Sequence, residues 1–168
     1  MAAAPVHRLA IEALERVAFA PFGDVIEAVE DAAVTPINDG TALRFAALAE
    51  VDAAHEGGRP VIGRVRAQPR ALPFTVRMLE RHPLGSQAFV PLDPALRDLV
   101  VVASAIDATP RAFLATRGQG VSFRRGTWHH PLLALDRVSD FLVVDRAGPG
   151  ANCEEAALPR EWLLQLEP

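Results

Sequence analysis

A chain of 168 residues is long enough to bury a sizeable core as one domain. Its hydrophobic share of 50% and mean hydropathy of +0.15 exclude a disordered polymer. With 17 basic and 21 acidic residues the formal net charge is -4, which argues against a nucleic-acid partner. The absence of basic runs argues against a membrane surface, so neither partner is expected. Cys153 is the single cysteine, so no intrachain disulfide is possible and a reducing, cytoplasmic compartment is expected. The first nine residues carry charge early and lack a long apolar run, so no signal peptide is read there. No segment approaches the roughly 18 uninterrupted apolar residues of a bilayer span.

Fourteen prolines and 11 glycines punctuate the chain and favour short strands. Residues 6–11 read as a first strand and 12–19 as a short helix ended before Pro21. Residues 22–26 form a turn and an extended segment, and 35–41 have the Asn, Asp and Gly of a loop. Residues 44–52 fit either an amphipathic turn or a strand, and 55–60 a loop with a solvated His55. The pattern is then consistently β: 61–67, 74–82, 87–91, 98–105, 111–116, 121–125, 128–135 and 138–146. Of these, 98–105 is continuously apolar, as in a strand buried on both faces. Helix formers follow at 154–166, with Pro159 suited to a first helical turn, so a C-terminal helix is expected at about 159–166. The expectation is one all-β domain over 1–168, a sandwich or barrel with its core at about 60–147 and short flanking helices.

Two stretches carry the chemistry. On a strand at 74–82, alternation puts Phe74, Val76, Met78, Glu80 and His82 on one face. That face begins as core and ends in an acid and an imidazole. Burying Glu80 alone would cost several kcal/mol or force it to take a proton. Glu80 and His82 are therefore expected to bind each other or something between them. The second stretch, 118–131, holds the adjacent His129 and His130, which a strand would point to opposite faces, so only one can meet Glu80. Trp128 reads as wall, and Asp145 as either a site acid or half of a strand-end ion pair with Arg146.

Here the sequence resembles a cupin. Gly118, Gly126 and His129 fall on the glycines and histidine of the second cupin motif, with Arg124 in place of its proline. Glu80, His82 and Gln87 occupy places of the first motif. The strings Glu80-Arg-His-Pro-Leu-Gly-Ser-Gln-Ala-Phe89, Thr127-Trp-His-His-Pro-Leu132, Asp140-Phe-Leu-Val-Val-Asp-Arg146 and Asn152-Cys153 are similar to the ureidoglycolate lyase family. So are Phe22-Gly-Asp-Val-Ile26, Ile37-Asn38 and Arg66-Ala-Gln-Pro69. The resemblance covers nearly the whole chain. It implies a cupin-type double-stranded β-helix barrel, a homodimer, and release of urea from ureidoglycolate to leave glyoxylate in allantoin breakdown. One departure is that Ala46 and Ala47 stand where members often carry histidine and aspartate.

Ureidoglycolate is a carbinolamine bearing a carboxylate. Its elimination needs a base for the hydroxyl proton, an acid for the departing urea nitrogen, and a cation for the carboxylate. Glu80, His82 and His129 are the candidate catalytic residues. Arg44, Arg66 and Arg125 are candidates for the carboxylate, because a guanidinium grips it with two parallel hydrogen bonds. Asn38, Gln87 and His130 complete the candidate substrate contacts. A divalent metal on Glu80, His82, Gln87 and His129 would instead polarise the substrate oxygens, with O/N ligation suited to nickel, manganese or zinc. The resemblance suggests nickel in some members; no organic cofactor is expected. The alternatives are a metal-dependent cupin hydrolase or isomerase on another small hydroxy acid, a non-catalytic small-acid-binding cupin, and a structural dimer module with a vestigial pocket.

Overall fold

The computed structural model describes residues 7–29 and 34–166. In chain order the strands are β1 (His7–Leu9), β2 (Ile11–Ala13), β3 (Gly23–Ile26), β4 (Val34–Ile37), β5 (Ala42–Phe45), β6 (Arg59–Ala67), β7 (Phe74–Arg81) and β8 (Gln87–Pro91). They continue as β9 (Asp98–Ala103), β10 (Arg111–Ala115), β11 (Gly120–Phe123), β12 (Trp128–His129), β13 (Leu133–Ala134), β14 (Ser139–Ala147) and β15 (Glu154–Leu164). One four-residue helix, α1 (Arg16–Phe19), and a 3-10 turn at His55–Gly57 interrupt them. The protein is all-β and cupin-like. Among the described residues no helix is long and apolar enough to cross a membrane.

Two sheets form the body. An eight-stranded sheet runs β1-β15-β7-β12-β9-β10-β2, with β13 also on β9, and a five-stranded sheet runs β3-β11-β8-β14-β6. The larger sheet curls into a half-barrel because one extended segment serves both of its edges. β1 pairs in parallel with β15 and β2 in parallel with β10, with only Ala10 between β1 and β2. The hairpin β4–β5 is a sheet of its own.

β9 shows how the sequence builds this body. All six of its residues are buried, Asp98 together with the apolar run from Leu99 to Ala103 that requires a place between two layers. Leu99, Val101 and Ala103 enter one cluster with Leu79, Leu133 and Leu164. Val100 and Val102, on the other face, join Phe19, Phe22, Phe113, Val121 and Phe123 between the two sheets. Phe19 and Phe113 are fully buried, and burial of each such ring stabilises the fold by about 1.5–3 kcal/mol.

Several expectations need correction. The expected C-terminal helix is β15, which pairs with β7. Helix propensity there amounts to tenths of a kcal/mol per residue and yields to an unpaired neighbouring strand. Pro159 falls in the register shift between Ala157 and Trp162, where its missing N–H costs no ladder bond. The expected helix at 12–19 gives way to β2 and a last turn, α1, while Val6 of the first expected strand lies outside the described residues. The expected strand 128–135 is split into β12 and β13 around Pro131. The sheets extend well beyond 60–147, recruiting 7–13, 23–26 and 154–164. Val76 and Leu79 are both fully buried, so β7 is covered on both faces rather than wetted on one.

Gly23 reports the closeness of β3 and β11: a Cβ there would lie 1.9 Å from the Ser122 carbonyl oxygen. Backbone cannot yield as a side chain can, so Gly23→Ala is expected to destabilise the protein by about 1–3 kcal/mol in urea unfolding. An unchanged midpoint would contradict this packing.

Candidate active site

The site grows from one register. β12 pairs with β7 so that His129 lies directly opposite Glu80, and opposed residues share a face. His82 follows β7, and Gln87 opens β8. Glu80 Oε1 lies 3.5 Å from His129 Nε2 and 4.0 Å from His82 Nε2. The ligand atoms of Glu80, His82 and His129 all lie within 4.8 Å of one another. Segments some fifty residues apart are thus brought to one point.

Both imidazoles are locked from behind. His129 Nδ1 lies 2.9 Å from the Thr127 carbonyl oxygen, and its ring stacks on Phe123 at 4.1 Å and 10°. His82 Nδ1 lies 2.6 Å from the Asn152 carbonyl oxygen. A carbonyl only accepts, so each Nδ1 carries a proton, and in a neutral ring Nε2 is left with a lone pair. Gln87 Oε1 lies 3.1 Å from His82 Nε2, while Gln87 Nε2 donates to Asp145 Oδ2 at 3.3 Å. With both rings neutral, a carboxylate, a carboxamide oxygen and two imidazole nitrogens face one another as acceptors, whereas a proton on either Nε2 turns that ring into a donor to Glu80 or Gln87. His129 Nε2 is buried and has no hydrogen-bond partner among the described residues. Such a convergence of lone pairs is unfavourable unless a proton or a cation sits among them. The donor set thus fits a divalent ion, and backbone carbonyls that hold each Nδ1 and fix the tautomer are what a ligating imidazole requires.

The interaction with His129 holds the Glu80 carboxyl below its ordinary range, with weaker attraction from His82 and His130, against the opposing effect of burial. Glu80 is therefore a carboxylate at neutral pH.

Of the adjacent histidines, His129 is the one that meets Glu80. His130 donates from Nδ1 to the Pro131 carbonyl oxygen at 2.8 Å and packs edge-on against Phe74. The candidate arginines are elsewhere. Arg66 and Arg64 both grip Asp140, whose carboxyl they hold far below the usual range. Arg125 pairs with Asp52 at 3.1 Å in a cleft of about 630 Å³ lined also by Asp24, Ser86, Ser122 and Arg124. Ser122 alternates with Phe123, which stacks on His129, so that cleft lies on the outer face of the five-stranded sheet. Asn38 and Arg44 sit on the exposed hairpin, where Asn38 adopts a left-handed turn conformation at φ 54°. No hydrogen bond or ion pair joins any of these five to Glu80, His82 or His129 among the described residues.

Three contributors lie outside the candidate catalytic, substrate and metal residues, and of them only Asp145 is weighed as a site acid from the sequence. The first is Asp145, whose side chain bonds Gln87 and the Arg146 N–H instead of pairing with the Arg146 guanidinium. That guanidinium is spent on the His55 and Pro149 carbonyls. Asp145 was visible by the signal that marks Glu80: it extends the inward face Phe141, Val143, an apolar face ending in an acid. The second, Asn152, holds both His82 and the Leu84 N–H. The third, Phe123, carried no signal beyond its apolarity.

Two β-sheets that bring together an acid and two imidazoles from one and an amide from the other form a cupin-type centre for polar small-molecule chemistry. The chain belongs to the ureidoglycolate lyase family, whose profile matches residues 6–165. It is 53% identical to a ureidoglycolate lyase of Burkholderia cepacia over 100% of this chain and 95% of that protein. It is 57% identical to one from Burkholderia mallei (strain NCTC 10229), covering 92% of each. It is 48% identical to one from Pseudomonas entomophila (strain L48), covering 97% and 99%.

A carboxyl with a lowered pKa stabilises the fold above its ordinary value of 4.5, and that contribution is lost as pH falls through the lower folded value. An NMR titration of the Glu80 carboxyl is expected to place its midpoint below 4.5, and His129→Ala to raise it. A midpoint unmoved by that substitution would refute the coupling.

Proposed function

We infer that this chain is a ureidoglycolate lyase, releasing urea from ureidoglycolate and leaving glyoxylate, as a step of allantoin breakdown. The observation that carries the chemistry is the approach of Glu80 to two imidazole Nε2 atoms on one inner face. The relatives' names carry the substrate. Nothing observed favours a different small acid or a purely structural module.

The reaction balances on these groups. The Glu80 carboxylate takes the proton of the carbinol hydroxyl. The oxygen's electrons form the aldehyde carbonyl of glyoxylate, the carbon–nitrogen bond breaks, and the urea nitrogen takes up a proton. An imidazole protonated on Nε2, at His82 or His129, delivers that proton while its Nδ1 stays bonded to the backbone. General acid–base assistance of this kind contributes about 10²–10⁴-fold in rate.

As an alternative to direct proton transfer by these side chains, we propose a divalent cation as cofactor, held by Glu80, His82, Gln87 and His129, with O/N ligation suited to nickel, manganese or zinc. When bound there it would polarise the hydroxyl and carboxylate oxygens of the substrate. The chain has no lysine, so a permanently charged side chain for the substrate carboxylate is an arginine. Among the three candidates, Arg44 has no side-chain partner within the described residues, whereas Arg66 and Arg125 are held by Asp140 and Asp52. Arg44 with Asn38, on the hairpin, is the proposed carboxylate clamp, and Gln87 and His130 border the substrate.

The whole chain is proposed to act as one domain, as a homodimer, in the cytoplasm. The dimer is supported by β6, a nine-residue edge strand on which Ile62 is 75% and Val65 40% exposed. Ile62 and Val65 are the large exposed apolar positions of this strand, and long open edges are usually either covered or protected by charge. The cytoplasm is supported by the exposed free thiol of Cys153.

Glu80→Gln keeps the shape and removes the base. Urea release from ureidoglycolate is expected to fall by about 10²–10⁴-fold in the folded variant. Release at the normal rate would show that Glu80 is not the base. Light scattering is expected to give twice the 18.1 kDa chain mass, and a monomer at working concentration would contradict the dimer.

A further inference from the structure

We propose that Asp145 is a positioning residue of the inner cluster: it fixes which end of the Gln87 carboxamide faces His82, and so sets the cluster's affinity for a divalent cation. This rests on the reading that Glu80, His82, Gln87 and His129 hold such an ion.

The geometry comes from the sheet. β8 and β14 run antiparallel with Phe89 opposite Val143, and Gln87 and Asp145 stand one alternation further along on the same face. Gln87 Nε2 donates to Asp145 Oδ2 at 3.3 Å, and Gln87 Oε1 is left 3.1 Å from His82 Nε2. The other Asp145 oxygen accepts the Arg146 N–H at 2.8 Å, which holds the carboxylate in place. A carboxylate can only accept, so the amide N–H groups of Gln87 must face it and its oxygen must face the cluster.

Turned over, the carboxamide would set its oxygen against the Asp145 carboxylate, two acceptors in contact. It would also aim an N–H at His82 Nε2. That hydrogen bond would cap one lone pair needed by a cation and withdraw the Gln87 oxygen as well. One flip thus converts two cation-binding atoms into a self-satisfied donor–acceptor pair. The charge on Asp145 is what disfavours the flip. Asp145 acts through Gln87: among the described residues it makes no hydrogen bond to Glu80, His82 or His129. Groups behind metal ligands typically change affinity by 10–100-fold when altered.

The test is calorimetric titration of the full chain, stripped by chelator, with Ni²⁺, Mn²⁺ and Zn²⁺ in the absence of substrate. Asp145→Asn keeps an oxygen for the Arg146 N–H but offers Gln87 an N–H, so the carboxamide turns. Affinity for the cation that wild type binds most tightly is expected to fall by about 10–100-fold, with the thermal midpoint little changed. In a Gln87→Glu background, residue 87 presents oxygen whichever way it turns. There, Asp145→Asn is expected to leave affinity unweakened. Wild-type affinity in the single variant would overturn the proposal. So would an equal loss in both backgrounds, which would mark a general structural effect, or uptake of none of the three cations by wild type. Because no substrate is present, the result is independent of whether the chain releases urea.

Discussion

Everything at the inner face depends on one constraint: a carboxylate and two imidazole nitrogens are held within 4.8 Å of one another. Left to relax, these groups would turn away or find donors. They cannot, because each is fixed from behind. The Glu80–His129 register is set by a β12 squeezed between β7 and β9, and β9 is buried on both faces. Each imidazole gives its Nδ1 proton to a backbone carbonyl, and Phe123 backs one ring. Rigid presentation of like groups is a state that a fold holds against its own stability, and such sites are where binding of a positive partner returns the cost.

Charge is sorted across the sheets in keeping with this. Among the described residues the ion pairs of arginine lie on the outer surfaces: Arg64 and Arg66 on Asp140, Arg81 on Glu154, Arg97 on Asp136, Arg125 on Asp52. The inner cluster contains Glu80 and, behind Gln87, Asp145, with no guanidinium bonded to either. An anionic substrate approaching such a surface needs positive charge brought to it, by a bound cation or by the Arg44 hairpin. The two sources are compatible, since a carboxylate and a neighbouring hydroxyl offer oxygens on two sides.

Much of this was legible in the sequence, for definite reasons. Strands β7 to β11 follow from alternation and from Gly and Pro punctuation, and Glu80 and His82 announced themselves as polar residues ending an apolar face. The parity of His129 and His130 was legible as a choice but not its outcome, because that depends on which strand β12 pairs with. The C-terminal segment misled because Glu, Ala, Leu and Arg favour a helix only weakly, whereas the open side of β7 offers a full ladder. Arg66 and Arg125 show a related limit: sequence shows that a guanidinium exists, not that an aspartate such as Asp140 across from Arg66, or Asp52 beside Arg125, already holds it. Asp145 was readable by the same rule as Glu80, but its neighbour Arg146 offered a nearer explanation that the fold does not use.

The central claim is that the inner cluster, and not the outer cleft around Arg124 and Arg125, is where the small acid is handled. A crystal structure of the protein with glyoxylate bound tests this most directly. The account predicts glyoxylate on the inner face, its oxygens beside Glu80 and the Nε2 atoms of His82 and His129. Glyoxylate seated instead between Arg125, Ser122 and Asp52, with the inner face empty, would contradict it.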